Sequence, residues 1–180
     1  MIIRPAGHDD AAAIAHVHIA GWRASYGGLV DQDYLDGLDV TERTKNWQDI
    51  FAKNETDTLV ACDAAGAIYG FTSFGKLRTP PPGMSPIRPL YASELYAIYI
   101  LPDYWRQGSG RQLMSASVKM LQQKKFKSLC LWTPEKNTRG VAFYKNLGGE
   151  RCGKKEIEIG PSKLREICFG WRDSTLLIVD

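Results

Sequence analysis

At 180 residues the chain is long enough for one substantial core, and neither a Ser/Gly linker nor a repeat divides it, so residues 1–180 read as a single domain. Its formal net charge is only +3 with both signs interspersed, which gives no broad basic face of the kind nucleic-acid binding needs. No apolar run approaches the roughly 20 residues of a membrane span and the amino terminus MIIRPAGHDD lacks a signal-peptide stretch, so neither membrane nor nucleic acid is an expected partner and the cytoplasm is the expected location.

From the amino terminus the elements alternate. Residues 2–4 form a short strand, and Asp9 or Asp10 caps a helix that runs through Ile14, Val17 and Ile19 towards Tyr26, where Gly27 and Gly28 stop it. Residues 31–38 and 41–53 carry Leu35, Leu38, Trp47, Ile50 and Phe51 at near-helical spacing, broken around Gly37 and Asp39. Residues 58–63 and 67–76 are two strands joined by the turn Ala64, Ala65, Gly66. Pro80, Pro81, Pro82, Pro86 and Pro89 then forbid a continuous ladder and make an extended loop.

The stretch ELYAIYILPDYWRQGSGRQLM, residues 94–114, is the most informative part of the chain. Leu95, Ala97 and Tyr99 alternate with Tyr96, Ile98 and Ile100, so both faces are apolar and the segment reads as a buried central strand ended by Pro102. Gly108 and Gly110 let consecutive backbone N–H groups approach a ligand at the start of a helix whose first amides have no internal partner. The result is an anion cradle. Met114, Val118 and Leu121 give the following helix one buried stripe. A dinucleotide fingerprint wants a third glycine and a later acidic residue, and a P-loop wants GK[ST]; both are missing.

Beyond this turn come a strand at 129–133, an antiparallel pair at 154–159 and 163–169 and a last short strand at 176–179. Cys62, Cys130, Cys152 and Cys168 are widely spaced and read as reduced core residues, with no pairing base beside Cys130. His16 and His18 point to different helix faces and His8 stands alone, so no metal site is expected.

The glycine turn resembles motif A of the GCN5-related N-acetyltransferases (GNAT), written [QR]-x-x-G-x-[GA]. Asn137, Ala142, Phe143, Tyr144, Leu147, Gly148 and Gly149 also follow that superfamily's order downstream, which implies a short helix carrying Phe143 and Tyr144. One departure stands at the Gln/Arg slot, which holds Trp105 with Arg106 next to it. The resemblance implies an α/β (α+β) fold with a central, mixed and mostly antiparallel sheet flanked by helices. It implies acetyl-CoA (coenzyme A) as co-substrate, with no metal. The pyrophosphate is then held by Arg106, Gln107, Gly108, Ser109, Gly110 and Arg111, and the pantetheine arm by the backbone of Ile98, Tyr99 and Ile100 and by Asn137, which can alternatively cap its helix. The proline-rich loop is either a spacer or a wall of the acceptor pocket, and Trp22, Tyr26, Tyr34 and Trp47 of the first helix pair either line that pocket or pack between helices; Tyr26 is expected to face substrate and Trp47 to pack.

Acetyl transfer to an amine needs a neutral nucleophile, whereas a lysine-like amine has a pKa of ~10.4. The resemblance makes Glu94, at the start of the central strand, the general base, directly or through water, with its carboxyl partly desolvated; the alternative is a strand-end carboxylate that is solvated or salt-bridged. It likewise makes Tyr144 the group that protonates the departing thiolate. The implied activity is acetylation of a primary amine, on a small molecule or a peptide, by direct attack in a ternary complex. The alternative is a catalytically weak acyl-CoA-binding sensor or assembly module of the same fold. A homodimer is possible through the strand-rich carboxyl end.

Overall fold

The structure is a computed structural model that describes residues 1–83 and 90–178. One sheet of seven strands organises it, in the order β1-β2-β3-β4-β5-β7-β6. The strands are β1 (Ile2–Pro5), β2 (Asp57–Cys62), β3 (Ile68–Lys76), β4 (Ser93–Ile100), β5 (Leu129–Pro134), β6 (Glu150–Ile159) and β7 (Ser162–Trp171). The helices are α1 (Ala11–Tyr26), α2 (Gln32–Asp36), α3 (Val40–Lys53), α4 (Ser109–Gln123) and α5 (Thr138–Asn146). Among these strands only the β4–β5 pairing is parallel. The mixed, mostly antiparallel sheet flanked by helices is the fold that the sequence resemblance implies.

Alternation in β2 explains the layering. Val60 and Cys62 face α1 and α3, where they pack with Ile14, Val17, Trp47 and Phe71. Leu59 and Ala61 face the opposite side, where Leu113, Met114, Val118 and Leu121 of α4 close the larger core. The stripe Met114, Val118, Leu121 is fully buried, each side chain contributing about 1.5–3 kcal/mol.

Local signals mostly act where the sequence puts them. Asp31 and Asp39 cap α2 and α3 by accepting from the Tyr34 and Glu42 amides, and Asp63 Oδ1 closes the β2–β3 turn on the Ala65 and Ala67 amides. Asp10 departs from expectation. It precedes α1, but its carboxylate accepts from the Arg4 guanidinium at 2.7 and 2.8 Å and from the Gly7 amide, so it ties β1 to the helix instead of capping it with its side chain.

Two strand expectations are corrected. The expected strand at 176–179 is a single 3-10 turn, Ser174–Leu177, because Asp173 accepts from the Thr175 amide and hydroxyl and Leu177 turns into the core; Val179 lies outside the described residues. β4 is central as expected, but from Tyr96 onward it is only half-buried, because β5 pairs with it at Ser93, Glu94 and Leu95 alone and then leaves.

Candidate functional site

That departure opens a cleft of about 1280 Å3. On one side β4 remains paired with β3 up to Ile100, while its β5-facing edge carries no strand partner from Tyr96 to Ile100. Unpaired strand edges offer N–H and C=O groups to whatever lies along them.

The glycine turn closes one end. Gly108 sits at φ 84° and caps α4, and Arg106 has φ 58°, so two left-handed residues fold the chain back over the helix start. Gly110 is close-packed, since a Cβ there would lie 3.1 Å from Phe143 Cζ. Arg106 and Arg111 are exposed and line the cleft with Ser109. Gln107 does not line it, because its side-chain amide donates to the Asp103 carbonyl at 2.8 Å and is used in shaping the turn.

Trp105, in the expected Gln/Arg slot, has a defined role in this turn. Its indole N–H donates to the Ile100 carbonyl at 2.7 Å, and the Arg139 guanidinium lies 3.5 Å from its ring centroid. The Ile100 carbonyl, expected to face a ligand, is therefore held by Trp105. Arg139 lies at the start of α5, and the sequence reading missed it; the basic residue two after a helix-capping Asn was the available signal.

Asn137 caps α5, its Oδ1 accepting from the Gly140 amide at 3.1 Å. Of the two roles open in the sequence, the cap is therefore occupied. Tyr144, on the same helix, is buried between Phe143 and Phe169 and lines the cleft. Burial, with a smaller effect of Tyr26, pushes its phenol above the ordinary value, so the hydroxyl keeps its proton throughout the physiological range.

The other end is aromatic. Tyr26 and Trp22 line the cleft, and Tyr26 Oη lies 3.1 Å from Tyr99 Oη. Tyr99, named for its backbone on the cofactor side, sends its side chain against α1, close enough to Gly21 that a Cβ there would meet the ring at 2.6 Å. Burial raises both phenols. Tyr34, expected in this wall, lies outside it, packed under Gly160 at the β6–β7 turn. Trp47 is core, as expected, though one edge reaches the cleft.

His18 joins this wall, which the sequence reading did not anticipate; its position i−4 from Trp22 and i−8 from Tyr26 was the signal. Its ring stacks on Tyr99 at 5.1 Å, and Nδ1 accepts from the Trp47 indole at 3.3 Å, which leaves the proton on Nε2. Burial, then the nearby Arg43, lowers its pKa to about 3, so it is a neutral donor.

Two carboxylates face this end. Glu94 is buried, and its Oε2 accepts from the Arg78 and Thr79 amides at 2.8 and 2.7 Å, anchoring the start of the proline-rich loop. Arg78 stacks on Tyr96 and lines the cleft, so this part of the loop is a wall; Pro86 and Pro89 lie outside the described residues. Glu166 of β7, not singled out in the sequence, lines the cleft and pairs with Lys155 at 3.3 Å. Its pKa is raised, chiefly by burial and further by Glu94.

All four cysteines are free thiols, three of them buried. Among the described residues no group of three or more His, Cys, Asp or Glu side chains could hold a metal ion, and no helix is long and apolar enough to cross a membrane.

Comparison with known proteins agrees with this geometry. Residues 25–148 match the Acetyltransferase (GNAT) family. The chain is 35% identical over 175 residues to an N-acetyltransferase of Bacillus subtilis, YuaI, covering 97% of this chain and 95% of that one. The fold superposes on the PaiA N-acetyltransferase of Thermoplasma acidophilum in complex with coenzyme A, with TM-score 0.69, 18% identity and coverage of 92% and 96%. It also superposes on the acetyltransferase YncA of Salmonella typhimurium with acetyl-CoA, with TM-score 0.66, 20% identity and coverage of 95% and 92%.

Proposed function

The chain belongs to the Acetyltransferase (GNAT) family and is an acetyl-CoA-dependent N-acetyltransferase, and from that premise we propose that it acetylates a primary amine of a small molecule or peptide by direct attack within a ternary complex. The observation that carries this reading is the continuity of the cleft: the glycine turn at one end, the open β4 edge between, and Tyr144 with two carboxylates at the other.

The residues fit coenzyme A. Amides of the turn around Gly108 and Gly110, with Arg106, Arg111 and Arg139, suit a diphosphate, and the open β4 edge suits the amide-bearing pantetheine arm. Because Trp105 holds the Ile100 carbonyl, the arm pairs with β4 nearer Ile98.

The chemistry then falls to few groups. The acceptor arrives largely as an ammonium and must lose one proton before its lone pair is available. Glu94, at the head of β4, takes it, directly or through a water. As the C–N bond forms and the C–S bond breaks, the Tyr144 phenol passes its proton to the sulfur, which leaves as thiol; the nitrogen's second proton restores the phenol, and Glu94 releases the first to solvent. A phenol that stays protonated suits this duty.

Thiol release from acetyl-CoA, measured against a panel of primary amines, tests the reading. Amine-dependent release supports it. Tight coenzyme A binding with no release for any amine overturns it in favour of a binding module.

A further inference from the structure

We propose that Glu166 is the acceptor-recognition residue, a carboxylate that receives the acceptor as its ammonium cation, so that the enzyme selects strongly basic alkyl amines over weakly basic aryl amines. This rests on the transferase reading above, and on four observations.

First, Glu166 lines the same cleft as Glu94 and Tyr144, and it does so from β7, across the opening from β4. Glu94 and Tyr26 are both within electrostatic reach of it. A cation between Glu94 and Glu166 meets two carboxylates, which offsets the cost of removing it from water.

Second, the two carboxylates are differently committed. Glu94 Oε2 is tied to the Arg78 and Thr79 amides. The ion partner of Glu166 among the described residues is Lys155, at 3.3 Å.

Third, Lys155 is shared. While it pairs with Glu166 at 3.3 Å its Nζ also lies 4.3 Å from the Trp132 ring centroid, so the indole helps to hold the lysine and the carboxylate keeps lone pairs for a second cation. Trp132 is itself fixed by donating to the Thr79 carbonyl at 2.9 Å.

Fourth, the site is built in advance. The β6–β7 turn is docked on the first helices, with the Asp31 amide donating to Ser162 Oγ at 2.8 Å and Gly160 pressed against Tyr34. Glu166 is therefore held facing Tyr26 instead of swinging on a free hairpin.

The test is the Glu166→Gln variant of the full chain, assayed with butylamine and with aniline. Its KM for butylamine should rise about 30-fold or more with a smaller change in kcat, while the constants for aniline stay near those of the parent. A purely structural role would move both amines together, and that result, or an unchanged butylamine KM, overturns the proposal. If Glu166→Gln does not fold, Lys155→Gln decides: freeing the carboxylate should lower the butylamine KM, and no change or a rise overturns it. Binding separates this inference from the transferase reading. Calorimetric butylamine binding to the coenzyme A-loaded chain, lost in Glu166→Gln, supports ammonium recognition even if no thiol is ever released, whereas equal binding by both chains overturns it.

Discussion

The Trp105 indole N–H reaches back to the Ile100 carbonyl at 2.7 Å and so pins the glycine turn to the end of the strand it follows. Arg139 lies over a face of the same ring, linking α5 to the turn. Trp105→Ala removes both contacts and should weaken coenzyme A binding by about 1–2 kcal/mol, roughly tenfold. Trp105→Phe keeps a ring under Arg139 but loses the hydrogen bond, so its affinity in calorimetry should fall between those of the parent and the alanine variant.

Gly108 tests the cradle itself. At φ 84° any L side chain is strained, and although a Cβ there meets nothing within 4 Å, Gly108→Ala should cost about 1–2 kcal/mol in the present backbone. The turn can relieve that strain only by moving its amides. Coenzyme A affinity should therefore fall by more than the loss in thermal stability accounts for, as read by melting with and without ligand.

For Tyr144 the expected signature is kinetic. Tyr144→Phe keeps the ring between Phe143 and Phe169, so the fold and the coenzyme A dissociation constant should hardly change, while kcat drops about 100-fold. Equal losses in affinity and turnover would contradict the acid role.

Glu94 carries a loop-anchoring duty that is visible and a base duty that is proposed, and two substitutions separate them. Glu94→Gln keeps an oxygen for the Arg78 and Thr79 amides, so stability should hold while kcat falls about 100-fold. Glu94→Ala also leaves two amides unanswered and should lower stability by about 1–3 kcal/mol. A glutamine variant with full kcat would leave Glu94 with the anchoring role alone.

His18 gives the fold an acid limb. Its pKa is about 3 when folded against 6.5 unfolded, through burial first and Arg43 second. Between these values the unfolded chain binds a proton that the folded chain refuses, so the contribution is fully present above pH 6.5 and is lost towards pH 3. The slope from this one group is at most roughly 1.4 kcal/mol per pH unit. The difference in melting temperature between pH 7.5 and pH 5 should accordingly shrink in His18→Asn, whatever that variant's absolute stability.

Much of this protein is local, and local features are readable one residue after another. A strand running into Gly108 and Gly110, a helix with Met114, Val118 and Leu121 on one side, and Asn137 ahead of Phe143 and Tyr144 each depend on backbone conformation and periodicity within a few residues. The family, the fold and the glycine turn at the head of α4 follow from them. The aromatic end of the cleft does not, because its groups come from α1, α3, β4, β6 and β7 and meet only when the sheet is assembled. His18 looks like one helical histidine among others until Trp47 and Tyr99 enclose it, and Glu166 looks like an exposed strand charge until the assembled sheet half-buries it within electrostatic reach of Glu94. Spacing along a chain fixes which way a side chain leaves its own element; what it meets there is set by packing between distant elements, and so are its charge state and its partners.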